Sequence, residues 1–112
     1  MTDKTFDLLV IGAGAIGLLA ALLLKSEGVK MTVLETNEAR HQCVKEHVGV
    51  NPVNPINQSV SEDSYDVVID CVGSEKTNAL SIASVSAGGT VVNVGLLSWS
   101  STIDIRKITL QE

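Results

Sequence analysis

The sequence predicts a doubly wound α/β fold, an open parallel sheet with helices on both faces. Three observations predict it. Short β-branched runs alternate with longer helical ones along the chain. The first run, Phe6 to Ile11, is apolar almost without a break, as in a strand buried on both faces. A glycine-rich turn, Gly12 to Gly17, then joins that strand to the first helical stretch. Alternation of this kind closes into a parallel sheet through right-handed crossovers. The length, 112 residues, suits one domain spanning 1–112.

Each element has its own warrant. The first helix is expected over Ala15 to Glu27, rich in Leu and Ala and apolar nearly all round, with Gly28 as its C′ residue. A helix so apolar is expected to be buried. Lys30 to Glu35 reads as the second strand, and Thr36 or Asn37 caps a polar helix that runs to Val48 and stops at Gly49. Val50 to Asn54 is a short third strand limited by Pro52 and Pro55. Ile56 to Ser64 is polar, has no clear helical face and reads as a loop or one turn of helix. Asp66 to Val72 is a fourth, buried strand; Ser74 to Ala87 is a helix ended by Gly88-Gly89; Thr90 to Leu96 is a fifth strand. Thr102 to Ile105 reads as a small additional one.

Composition removes several classes. Apolar residues make up 45%, enough to repay the entropy of ordering, so the chain is not disordered. A net charge of -5 with only 8 Lys and Arg disfavours nucleic acid and anionic membrane surfaces as partners. The longest apolar run, Ile16 to Leu24, is about half of the roughly 20 residues a membrane span needs, and no signal peptide is visible. Cys43 and Cys71 lack the spacing of a disulfide framework, so a reducing, cytoplasmic setting is expected.

The glycine turn carries the chemistry. Gly12-Ala13-Gly14-Ala15-Ile16-Gly17 is a complete G-x-G-x-x-G, placed after a buried strand and opening a helix. In that context Gly12 permits the tight turn, Gly14 lets the backbone approach a pyrophosphate, and Gly17 allows close helix–strand packing. The helix N-terminus offers free N–H groups and the positive end of its dipole to phosphate oxygens. Glu35, 18 residues after Gly17, closes the second strand, where a carboxylate accepts ribose hydroxyls and repels a 2′-phosphate. NAD is therefore expected over NADP. Arg40 argues the other way, since it could pair with a 2′-phosphate, or it could lie over the adenine or simply be solvated. FAD satisfies the same two features, so the first half alone does not discriminate between these cofactors.

The second half does. Asp70-Cys71-Val72-Gly73 at a strand end, then a helix, then Gly88-Gly89-Thr90-Val91-Val92-Asn93-Val94-Gly95, resembles the Rossmann cofactor domain of medium-chain, zinc-type alcohol and polyol dehydrogenases. The resemblance runs from about Phe6 to Glu112. It implies that the backbone at Ala15 and Ile16 faces the pyrophosphate and that Glu35 holds the adenosine ribose with Arg40 beside it. It implies that Cys71, Val72 and Gly73 lie under the passing cofactor, and that Val94, Gly95 and Leu96 meet the nicotinamide and its ribose. It further implies hydride transfer with a small alcohol or polyol, the zinc and most of the substrate pocket belonging to a separate catalytic domain.

The chain departs from the family pattern in a short segment between the third and fourth strands, in having no sixth strand, and in lacking that catalytic domain. An excised or truncated piece of a larger oxidoreductase acting on CH–OH groups is therefore expected, without turnover of its own and with self-association through the edge at Thr90 to Leu96 unless the segment from Thr102 onward folds over it. Two other classes compete with this reading: a non-catalytic NAD(H)-binding or redox-sensing module, and an FAD-binding half-domain. His41, Cys43 and His47 are not expected to bind metal, because positions 41 and 43 point about 200° apart on a helix. Cys71, expected inside a buried strand, should be an inert small hydrophobe. Tyr65 has Ile69, not Lys, four residues on, which removes the short-chain dehydrogenase reading.

Overall fold

The computed structural model of the chain describes residues 7–95 and 97. The elements are β1 (Asp7–Ile11), α1 (Ala15–Ser26), β2 (Lys30–Leu34), a 3-10 turn (Glu38–Arg40) leading into α2 (His41–His47), β3 (Tyr65–Asp70), α3 (Glu75–Ser84) and β4 (Val85–Asn93). The four strands form one parallel sheet in the order β2-β1-β3-β4. The chain thus winds outward from β1 in both directions, and the order reverses between β1 and β3.

β1 is central because it can be buried on both faces. Leu8 and Val10 pack into one cluster with Ala21, Val29, Val33, Val44 and Val48, while Leu9 and Ile11 pack into the other with Leu34 and Val68. This is the two-residue strand period serving two cores. Each fully buried Val or Leu contributes roughly 1.5–3 kcal/mol. α1 ends as expected at Gly28, which takes a φ of 79°. There Gly28 N–H donates to the Lys25 carbonyl and Val29 N–H to that of Leu24, the paired bonds of a Schellman ending.

Three expectations need correction. The short third strand is a single bridge: Val53 exchanges backbone hydrogen bonds with Val33 and Glu35 at 2.8 and 2.9 Å, flanking Leu34, and the prolines on either side preclude a longer ladder. α1 is not buried all round. Gly17 and Ala21 face the sheet, but Ile16, Leu19 and Leu23 on the opposite side are 57, 67 and 68% exposed among the described residues. Its width exceeds what one sheet face can cover.

The third correction concerns α3, which stops at Ser84, so that Val85 to Ala87 already belong to β4. Gly88-Gly89 therefore lies inside a strand, at an irregularity where the register jumps from Tyr65 opposite Val85 to Val67 opposite Thr90. Gly88 takes a φ of 77°, and a Cβ on Gly89 would come within 2.7 Å of the Asp66 carbonyl. The glycines make a bulge and not a helix ending. β3 correspondingly ends at Asp70, placing Cys71 just beyond it. Phe6, Leu96, Trp99 and the small strand expected at 102–105 lie outside the described residues.

Candidate functional site

The C-terminal ends of β1, β2 and β3 open on one cavity of about 560 Å³. Its sheet side is formed by Ile11, Gly12, Leu34, Glu35, Thr36 and Val72, and its other wall by Pro55, Ile56 and the first turns of α3, with Ser74, Lys76, Thr77 and Leu80. A concave, mostly apolar slot with a few polar groups, at the switch in strand order, is where an open α/β sheet takes its ligand.

The glycine turn sits beside it, and each glycine is explained by what a side chain would meet. Gly12 has a φ of 93°, and a Cβ there would press on Val72 at 2.8 Å. On Gly17 a Cβ would overlap the Gly12 carbonyl, so α1 can lie against the turn only without one. Gly14 differs. Its φ is -72° and the nearest neighbour of an added Cβ is Arg40 Nη1 at 3.6 Å. The fold itself leaves room at Gly14, so the open surface there is available to something else. Gly14 is also the N-cap of α1, with no capping side chain and no acidic residue in the first turn. The first N–H groups of such a helix, at Ala15 and Ile16, are those that favour an anion.

Glu35 follows β2 directly and is only 5% exposed. Its Oε1 accepts from the Ala13 N–H at 2.7 Å and its Oε2 from the Asn37 N–H at 2.8 Å, while Arg40 Nη1 stands 3.5 Å from Oε1. Arg40 lies in the 3-10 turn capped by Asn37, with its guanidinium half exposed between Glu35 and Gly14. His41 Nε2 is 2.8 Å from the Glu35 carbonyl oxygen. Since a carbonyl only accepts, that nitrogen carries the proton.

At the end of β3, Asp70 is fully buried. Its Oδ1 accepts from the N–H groups of Val72 and Gly73 at 3.0 and 2.9 Å, and its carbonyl accepts from those of Val94 and Gly95. The D-x-V-G segment is thus a side-chain-closed turn that also ties down the exit of β4. Gly95 fits there because a Cβ would run into the Val72 backbone. Cys71, half-buried beneath the glycine turn, has its thiol pushed up by burial and, less, by the Asp70 carboxylate.

The structure therefore brings Gly12, Gly14, Gly17, Glu35, Arg40, Cys71, Val72 and Gly73 together around one end of the sheet, with Val94 and Gly95 leaving β4 beside Val72. Ala15 and Ile16 open α1 at the same end. Thr36, Pro55, Ile56, Ser74, Lys76 and Thr77 were missed by sequence reasoning. No motif marks them, although Ser74 and Thr77 carry a capping-box spacing whose hydroxyls do close reciprocally at the start of α3. His41, Cys43 and His47 do not gather: His41 serves Glu35, and no group of three His, Cys, Asp or Glu among the described residues is arranged to hold a metal ion.

Fold and site geometry together define a Rossmann-type domain. Residues 15–112 match the family model described as zinc-binding dehydrogenase, and the chain belongs to that family. Among curated relatives it is 34% identical over 103 residues to L-galactonate-5-dehydrogenase of Escherichia coli, covering 80% of this chain and 29% of that protein. It is 26% identical over 113 residues to (R,R)-butanediol dehydrogenase of Neisseria gonorrhoeae, covering 93% and 32%. The chain thus spans about a third of the length of these relatives. Similar solved structures are acetophenone reductase from Geotrichum candidum in complex with NAD (TM-score 0.88, 24% identity, 98% of this chain and 32% of that one) and the yhdH oxidoreductase from Salmonella enterica in complex with NADP (TM-score 0.81, 24% identity, 95% and 34%).

Proposed function

We propose that this chain is the dinucleotide-binding part of a zinc-type alcohol or polyol dehydrogenase, with NAD(H) preferred over NADP(H). The observation that carries it is the slot at the strand ends, walled by a glycine turn that has an open approach at Gly14 and by a buried carboxylate at its rim. In this reading the uncapped start of α1, with the N–H groups of Ala15 and Ile16, holds the pyrophosphate. Adenine enters the apolar slot between Ile56 and Val72. Glu35 accepts a ribose hydroxyl, its carboxylate repels a 2′-phosphate, and Arg40 flanks the same ribose. Cys71, Val72, Gly73, Val94 and Gly95 line the path toward the nicotinamide; Leu96, outside the described residues, is assigned to the same role by the family resemblance alone. When bound, the nicotinamide supplies hydride chemistry, and this chain's share is position and electrostatics.

The same reading covers residues 1–112 as one domain of a longer soluble, cytoplasmic enzyme that acts on a CH–OH group. Zinc and the substrate pocket would be supplied from outside these residues, since the described side chains do not fit a metal site. Among the described residues β4 is the last strand on its side of the sheet, and its outer edge is proposed for self-association unless the segment from Thr102 onward covers it.

The test is calorimetric titration with NADH, NADPH and FAD. The expected result is saturable NADH binding, weaker NADPH binding, none with FAD, and no alcohol oxidation by the chain alone. Binding of FAD only, or turnover by the purified chain, would overturn the reading. Sedimentation at high concentration checks the edge: a strictly monomeric profile contradicts it.

A further inference from the structure

Glu35 is engaged at every polar atom before any ligand arrives. Its N–H donates to Val53 and its carbonyl accepts from His41, while its two carboxylate oxygens accept from Ala13 and Asn37. These partners come from four places: the glycine turn, the bridge segment after α2, the start of α2, and the loop that leaves β2. The two backbone bonds would be made by any residue at this position, whereas the two carboxylate bonds belong to the Glu35 side chain and are not needed to read a ribose. The bond to Ala13 is the informative one, because it spans 22 residues and ends inside the glycine turn, one residue before Gly14.

We propose that Glu35 is a positioning residue for the glycine turn, holding the phosphate-facing backbone in its binding shape through the Ala13 N–H. The inference deepens the dinucleotide reading and rests on it. The physics is that of a pre-organised site. A turn with three glycines loses much backbone entropy when fixed. A buried, charge-assisted hydrogen bond from the protein fixes it in advance, so the ligand's binding energy is not spent on ordering. Within that geometry Oε1 already takes Ala13 and stands near Arg40, which leaves Oε2 the freer acceptor for a ribose hydroxyl. The carboxylate thus couples the two halves of the nucleotide site, shaping the phosphate cradle from one oxygen and meeting the sugar with the other.

The experiment separates the two roles by removing the ribose hydroxyls from the ligand. 2′,3′-Dideoxy-ADP keeps the diphosphate and adenine but offers Glu35 nothing to read. In the full chain, Glu35→Ala is expected to weaken this probe about fivefold or more, the scale of one lost hydrogen bond. Glu35→Gln, which can still accept from one N–H, should fall between. Equal affinity of wild type and Glu35→Ala for the dideoxy probe, with NADH still bound by the wild type, overturns the inference and leaves the dinucleotide reading standing. Failure of the wild type to bind NADH overturns the reading itself.

Amide exchange by NMR needs neither variant nor ligand. In the ligand-free chain the Ala13 N–H is expected to exchange slowly, held by Glu35 Oε1. Exchange of the Ala13 N–H at the free-chain rate overturns the inference even where the variants fail to fold.

Discussion

Two strands of this sheet hand the chain to a loop through an acidic residue, and the two carboxylates behave differently. Asp70, the last residue of β3, turns inward: its Oδ1 closes its own loop by accepting from Val72 and Gly73, and the residue is fully buried. Glu35, just past β2, reaches sideways to a turn distant in sequence and stands on the wall of the slot. Both satisfy loop N–H groups that would otherwise be unpaired. The difference is one methylene and one position: the shorter side chain, still in the strand, builds structure alone, whereas the longer one, past the strand end, also faces ligand space. Position relative to the strand end, more than residue type, separates a carboxylate that supports the site from one that takes part in it.

The largest effect is expected at Asp70. Asp70→Ala leaves two loop N–H groups without their acceptor and a void at a fully buried position, so a stability loss of about 2–4 kcal/mol is expected in urea unfolding. A loss below about 1 kcal/mol would mean that Asp70 is not structural in the sense argued. Glu35→Gln should lose less, about 1–2 kcal/mol, because one acceptor remains. Its signature lies in binding: the NADH-over-NADPH preference should shrink as the charge facing a 2′-phosphate disappears. An unchanged preference would contradict a ribose-facing role for Glu35.

At the start of α3, Ser74→Ala removes half of a capping box and should lower stability by about 1 kcal/mol. Its effect on NADH affinity should be small, since Ser74 lies at the rim of the slot. The smallest effect is kinetic. The thiol of Cys71 is raised by burial and by Asp70, so its thiolate forms only above the usual thiol range. Alkylation of Cys71 at pH 7 to 8 should be slower than that of a free cysteine, accelerating only at more alkaline pH. The same raised value means that folding stability is unaffected below the usual thiol range and declines above it, where the unfolded chain ionises first. Fast labelling of Cys71 at neutral pH would contradict its burial.

Much of this was legible in the sequence, for physical reasons that differ from element to element. β1 and the glycine turn could be read because their constraints are local: a twice-buried strand must be continuously apolar, and Gly12 and Gly17 admit no side chain at all. Glu35 was legible by its distance from that turn. The boundary between α3 and β4 was not, because Gly88-Gly89 reads as a helix ending unless the pairing of Val85 with Tyr65 is known. The cavity wall from Pro55, Ile56, Lys76 and Thr77 was not legible either. Those residues meet β1 and β2 only through tertiary folding, and no spacing announces it. The bare stripe of α1 escaped for the opposite reason: the sequence shows that the helix is apolar all round, but not how much of it this sheet can cover.

Whether the slot and glycine turn receive a dinucleotide is decided at Gly14. Because the fold leaves space there, with Arg40 Nη1 3.6 Å from an added Cβ, Gly14→Ala should fold with nearly the stability of the wild type. Its methyl group would, however, occupy the phosphate approach. Calorimetric titration of both proteins with NADH should show saturable binding by the wild type and a loss of at least tenfold in the variant at unchanged thermal stability. Equal NADH affinity in the two would contradict the account, because the cofactor would then be bound somewhere other than the turn between β1 and α1.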